Sequence, residues 1–215
     1  RSLMRVPKVQ KRRKESRYPV LLYLHGGFAL GAQDVLDCQR FTDDGYAVVA
    51  PSYRGENGNP GHHEMFYGEL DDAVAALHWI DRNKELDGDR VVVFGHSAGG
   101  ALSALMTLVP GLKVKAFGSA GGFYREDVFE AWEAPFKLTE KEKSLRLAYR
   151  WVHEFTSPHL ACVGSGDVYP ASIIRLVEKK GDLLRASFVK GDHFSSLPEC
   201  FGKFLEFAND RLSGD

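Results

Sequence analysis

The chain has 215 residues, 44% of them hydrophobic and 27% charged, with a formal net charge of −1 and a pI near 6.8. This is the profile of one α/β domain with a sizeable core. It excludes a low-complexity chain and gives no electrostatic reason to expect nucleic acid or an anionic membrane surface as partner. No apolar run approaches membrane-spanning length and no signal peptide is visible, so a membrane partner is not expected either.

In chain order, Leu3 to Val9 can supply a short edge strand. The basic cluster of Lys8, Lys11, Arg12, Arg13, Lys14 and Arg17 lacks interleaved aromatics and reads as a solvated hairpin tip or lead-in. Val20 to Leu24 is a buried strand that runs into His25-Gly26-Gly27-Phe28. Ala32 to Phe41 is a helix with Val35, Leu36 and Phe41 inward, stopped near Gly45. Tyr46 to Ala50 is the next strand, ended by Pro51, and a turn-rich loop runs from Ser52 to Gly61. Glu69 to Asn83 is an amphipathic helix with Leu70, Val74, Ala75, Leu77, His78 and Ile80 at helical spacing. Val91 to Phe94 is a short buried strand, followed by a helix through Ala101 to Met106. Leu112 to Gly118, His159 to Val163 and Leu184 to Val189 complete the strands, with helices at Ala171 to Lys179 and Pro198 to Leu212. Alternating strands and helices predict a doubly wound, mostly parallel sheet that binds ligands at the carboxyl ends of its strands.

Between the strand at Val91 and its helix lies Gly95-His96-Ser97-Ala98-Gly99, which fits G-x-S-x-G. A serine forced into so tight a strand-to-helix turn needs neighbours without side chains two positions away, because a Cβ there would collide with the turn. The serine oxygen then stands clear of the sheet, and the N–H of Ala98 points toward charge developing beside it. A serine nucleophile needs a base, and the base needs an acid to hold its tautomer. Asp167 follows the strand at His159 and His193 follows the strand at Leu184, so both fall at carboxyl strand ends in the order Ser, Asp, His.

The competitors fit less well. His153 and His159 flank the start of a strand, His62 and His63 precede the elbow, and His78 lies on an apolar helix face. Asp192 adjoins His193, and adjacent side chains point apart; Asp182 reads as a turn residue. His25-Gly26-Gly27-Phe28 supplies the second oxyanion donor, from the N–H of Gly27 or Phe28. No metal-ligand spacing and no phosphate-binding loop occurs, so neither a metal nor another cofactor is expected. Cys38, Cys162 and Cys200 form neither an even framework nor a C-x-x-C; as free thiols they favour a reducing, cytoplasmic compartment.

His25-Gly26-Gly27, Tyr53-Arg54-Gly55, Gly68-Glu69-x-Asp71-Asp72, Gly95 to Gly100, Asp167 and His193, taken together, resemble an α/β-hydrolase. The likeness spans about residues 18 to 212 and is nearest to the catalytic domain of the prolyl oligopeptidase family and its small carboxylesterase relatives. It implies a cofactor-free Ser-His-Asp hydrolase acting through an acyl-enzyme. Phe28 departs from related esterases, which carry a third glycine there. These residues include no propeller domain, so the resemblance leans to an esterase of small substrates over a peptidase. Arg54 either lines the acyl side or holds its loop by a salt bridge. The aromatic-rich stretch 122–157 falls where such folds carry a cap; Thr139-Glu140-Lys141-Glu142 opens a helix there, with Leu145, Ala148, Val152 and Phe155 on one face. His96, Tyr53, Phe123 and Trp132 are the expected substrate contacts, for a small ester or a short peptide. The oligomeric state stays open, a homo-oligomer included.

Overall fold

The fold was read from a computed structural model, which describes residues 1–7, 17–27, 29–124, 126, 129, 134, 136–168, 173, 175–176 and 181–213. β1 (Ser2–Arg5), β2 (Tyr18–Leu24), β3 (Ala47–Pro51), β4 (Leu86–His96), β5 (Ala116–Ala120), β6 (His159–Gly164) and β7 (Leu184–Val189) form one sheet in the order β1-β3-β2-β4-β5-β6-β7. β1 is the antiparallel edge on β3, and every other pairing is parallel. The chain lays β3 on one side of β2 and β4 on the other. The order therefore reverses between β2 and β4, and their carboxyl ends open a crevice there. This is an α/β-hydrolase fold.

The strands alternate between two cores. Val20, Leu22, Leu24, Val91 and Val93 face the layer of α3 (Gly68–Arg82) and α4 (Ala98–Met106). Leu21, Tyr23, Val92 and Phe94 face α1 (Ala32–Asp37), α2 (Gln39–Asp43) and α6 (Leu197–Leu212). Both sheet faces are covered, which is why these strands are unbroken apolar runs. Between β5 and β6 the chain forms α5 (Glu140–Arg146) and a 3₁₀ helix (Ala148–Glu154). Among the described residues no helix is long and apolar enough to cross a membrane.

Several expectations are corrected. The helix over 32–41 breaks at Cys38, which is buried while Leu36 turns outward at 48% exposure; the restart at Gln39 shifts the helical phase. On α3, Ala73, Leu77 and Ile80 carry the buried stripe, leaving Ala75 and His78 exposed. The strand expected from Leu112 begins only at Ala116. In the 122–157 stretch Thr139 caps α5, accepting from the Glu142 N–H, but the helix stops at Leu147 and the single expected face is split. Leu145 is exposed, while Ala148, Val152 and Phe155 are buried.

The largest correction concerns the cysteines. Cys162 and Cys200 form a disulfide that ties β6 to the first turn of α6, and only Cys38 is free. Their separation of 38 residues hides a pairing that the sheet creates, and the compartment inferred from free thiols loses its basis. The basic cluster, apart from Arg17, and most of the helix expected at 171–179 lie outside the described residues.

Candidate active site

Ser97 follows the last residue of β4 and precedes the first of α4 with φ 56° and ψ −118°, a conformation that costs on the order of 1–3 kcal/mol for a non-glycine residue. The neighbouring glycines make the turn passable. A Cβ on Gly95 would lie 2.0 Å from the Gly99 carbonyl oxygen, and one on Gly99 would lie 1.9 Å from that of Leu24. The Ser97 N–H donates to the Ala120 carbonyl at 2.9 Å, fixing the turn to the end of β5. Ala98 is the first residue of α4, so its N–H belongs to the helix's unpaired first turn.

β6 and β7 bring in Asp167 and His193, the residues expected as acid and base. Asp167, buried just beyond β6, accepts from His193 Nδ1 at 3.0 Å on Oδ2, and His193 follows β7. That bond keeps a proton on Nδ1 and the ring's lone pair on Nε2, the tautomer that accepts a proton from a hydroxyl. Phe123 lies parallel to the imidazole at 6.1 Å and His96 packs on it at 4.8 Å. The His96 Nε2–H donates to the His193 carbonyl at 2.9 Å, so His96 holds the base's own backbone. Burial lowers the pKa of His96. Asp192 points away from the ring, as adjacency implied; its Oδ1 accepts from the N–H groups of Phe194 and Ser195. Gly121, at φ 54°, sits against the Asp167–His193 bond, and a Cβ there would lie 2.7 Å from both Asp167 Oδ2 and His193 Nδ1.

The turn after β2 packs against the serine: a Cβ on Gly26 would lie 2.9 Å from Ser97 Cβ, while above Gly27 the space is open. Phe28, the other donor expected there, lies outside the described residues, as does Trp132. A buried group holds this turn from behind. His25 Nε2 meets Glu56 Oε1 at 2.9 Å, the same oxygen accepts from the Tyr53 N–H, and the Tyr53 ring stacks on His25 at 4.6 Å. Tyr53 thus packs under the turn. Arg54 takes the salt-bridge role of the two considered for it: Nε and Nη2 donate to Asp72 and Nη1 to Glu64. These carboxylates raise its pKa, chiefly through the hydrogen bond to Asp72. The guanidinium occupies the space that a Cβ on Gly68 would need, which accounts for the glycine and the second aspartate of Gly68-Glu69-x-Asp71-Asp72.

Sequence reasoning missed Gly121 and Glu56. A glycine pair after β5 was the visible signal for the first. The second, a lone carboxylate among turn residues, offered none. Among the described residues no cluster of histidine, cysteine, aspartate and glutamate is disposed to hold a metal ion.

A family model described as BD-FAE matches residues 8–130. Sequence relatives include peptidases and carboxylesterases. "Uncharacterized peptidase YtmA" of Bacillus subtilis (strain 168) is 31% identical over 49% of this chain and 42% of its own length. "Liver carboxylesterase B-1" of Rattus norvegicus is 35% identical over 45% of this chain and 19% of its own. The match thus spans less than half of either relative. Among solved structures, that of ferulic acid bound to Est1E from Butyrivibrio proteoclasticus superposes with a TM-score of 0.77 and 15% identity, covering 99% of this chain and 95% of that one.

Proposed function

The chain belongs to the BD-FAE family, and from that membership we propose that it is a serine hydrolase cleaving small carboxylic esters through an acyl-enzyme. Ser97 Oγ attacks the ester carbonyl as its proton passes to His193 Nε2, and Asp167 stabilises the imidazolium. The carbonyl oxygen, now negative, is held by the N–H of Ala98 and that of Gly27 or Phe28. Collapse expels the alkoxide, which leaves as the alcohol with the proton from His193. Water, deprotonated by the same ring, then releases the acid and restores Ser97. The cycle balances with water as its only co-reactant. Residues 1–215 are read as one hydrolase domain in which 122–157 form a small cap, with Phe123, Tyr53 and His96 near the substrate.

The observation that carries the reading is the strained, glycine-flanked Ser97, with a hydrogen-bonded Asp167–His193 pair beyond the next strand ends. A second reading, a prolyl oligopeptidase-like aminopeptidase or amidase, draws on the likeness to a peptidase. Matched p-nitrophenyl acyl esters and aminoacyl p-nitroanilides separate the two, because a leaving amine depends more strictly on protonation by His193. The expected result is ester turnover with inert anilides, lost by at least about 10⁴-fold in Ser97→Ala. Anilide turnover of equal efficiency transfers the protein to the peptidases; full activity in Ser97→Ala refutes the nucleophile.

A further inference from the structure

Phe194 follows the base and leaves 73% of its surface in water, yet its position is fixed. Asp192 Oδ1 accepts from the Phe194 N–H at 3.0 Å and from the Ser195 N–H and hydroxyl, both at 2.8 Å. The Asp192 N–H donates in turn to Ser195 Oγ at 2.9 Å, and His96 holds the His193 carbonyl one peptide earlier. An apolar ring is therefore presented to solvent by a turn whose polar groups are satisfied. It stands edge-on to His193, with ring centres 5.1 Å apart and an interplanar angle of 86°, and it reaches His96 at 5.7 Å. Val168, next to the acid, is equally bare at 76%.

We propose that Phe194 is the specificity residue for the leaving group, and that it selects esters of aromatic or bulky apolar alcohols. The inference rests on the hydrolase reading above. One imidazole serves both proton transfers of acylation, taking the proton from Ser97 and delivering it to the departing oxygen. The leaving group must therefore lie beside that ring when it departs, and among the described residues Phe194 presents an exposed apolar ring there. Phe123, on the parallel face of the imidazole, is buried and offers no such surface. An alcohol carrying an aromatic ring covers Phe194 and removes apolar surface from water; methanol cannot.

The test compares acetate esters of methanol and of benzyl alcohol by kcat/KM, which covers the steps through departure of the alcohol. Wild type favours the benzyl ester. Phe194→Ala lowers the benzyl-to-methyl ratio about tenfold, equivalent to about 1.4 kcal/mol, and Phe194→Leu falls between. Thermal melting checks that both variants fold. An unchanged ratio overturns the inference, as does a variant that instead alters the acyl-length profile of methyl esters. If wild type hydrolyses no ester and a fluorophosphonate fails to label Ser97, the hydrolase reading falls and takes this inference with it. Labelled Ser97 with an unchanged ratio refutes the role of Phe194 alone.

Discussion

The Cys162–Cys200 bridge offers a demanding test, because it encloses the segment that carries both Asp167 and His193. Reducing it, or replacing both residues by alanine, removes the covalent tie between β6 and α6 and opens a closed loop with a sequence separation of 38. In the chain-entropy account, opening a loop of that length costs about 4 kcal/mol of stability at 25 °C. At about 2.1 cal/mol/K of unfolding entropy per residue, a chain of 215 residues then loses roughly 9 °C in melting temperature. Urea unfolding followed by circular dichroism, with and without a phosphine reductant, measures the difference. The thiol count provides an independent check, since denatured but unreduced protein exposes Cys38 alone and reduced protein exposes all three cysteines. If the proposed ester hydrolysis depends on Asp167 and His193, it disappears before the global transition in the reduced protein, because the opened segment carries both. A stability change below about 1 kcal/mol refutes the view that the bridge constrains this segment. Three reactive thiols before reduction refute the bridge itself.

Two further substitutions probe the site's supports. Gly121→Ala places a methyl group against the Asp167–His193 bond at a left-handed backbone position; displacing the pair by about 1 Å lowers kcat about 10²-fold in a folded protein. Near wild-type turnover would show that the pair is not what positions the base. His159 is buried at the start of β6 with Nε2 facing Ser119 and Tyr124, and burial lowers its pKa from 6.5 to about 3. Its pKa is depressed on folding, so its contribution is complete above about pH 6.5 and is lost as the pH falls toward 3. By pH 4.5 the loss is about 3 kcal/mol. Stability in urea at pH 7 and 4.5 should fall less for His159→Gln than for wild type, and equal falls would contradict the assignment.

What the sequence made legible is what has a local steric cause. Gly95 and Gly99 must be glycine because carbonyls occupy their Cβ positions, so the elbow can be read without a fold. Asp167 and His193 were legible one step later, from strand ends and chain order. Gly121 was marked only by a glycine pair after β5; its role was not legible because the groups it meets follow β6 and β7 and come together only in space. The disulfide was missed for the same reason: the cysteines are partners only once α6 lies across β6. Helix phase failed where a break intervened, at Cys38 and at Leu147, since a periodic pattern carries no sign of where a turn is reset. The salt bridge of Arg54 was one of two readings because charge in a loop does not say which helix the loop will meet. The structure supplies that answer at Asp72.

α5 packs on a strained turn that precedes α3. Met65 and Phe66, both buried, adopt consecutive left-handed conformations at φ 52° and 75°, which costs on the order of 1–3 kcal/mol each. The strained pair is held by α5. Arg146 Nη1 donates to the carbonyls of Glu64 and Met65, its Nε is paired with Glu142, and its guanidinium covers the Phe136 ring at 4.1 Å. Phe66, Phe129 and Phe136 continue the contact ring to ring. Glu64 joins this group to Arg54 and hence to α3. Gly121, by contrast, sits under the Asp167–His193 pair and Phe123 lies against the imidazole. Moving α5 away from the Met65–Phe66 turn breaks the Arg146 hydrogen bonds to the Glu64 and Met65 carbonyls and the Glu64–Arg54 pair behind them.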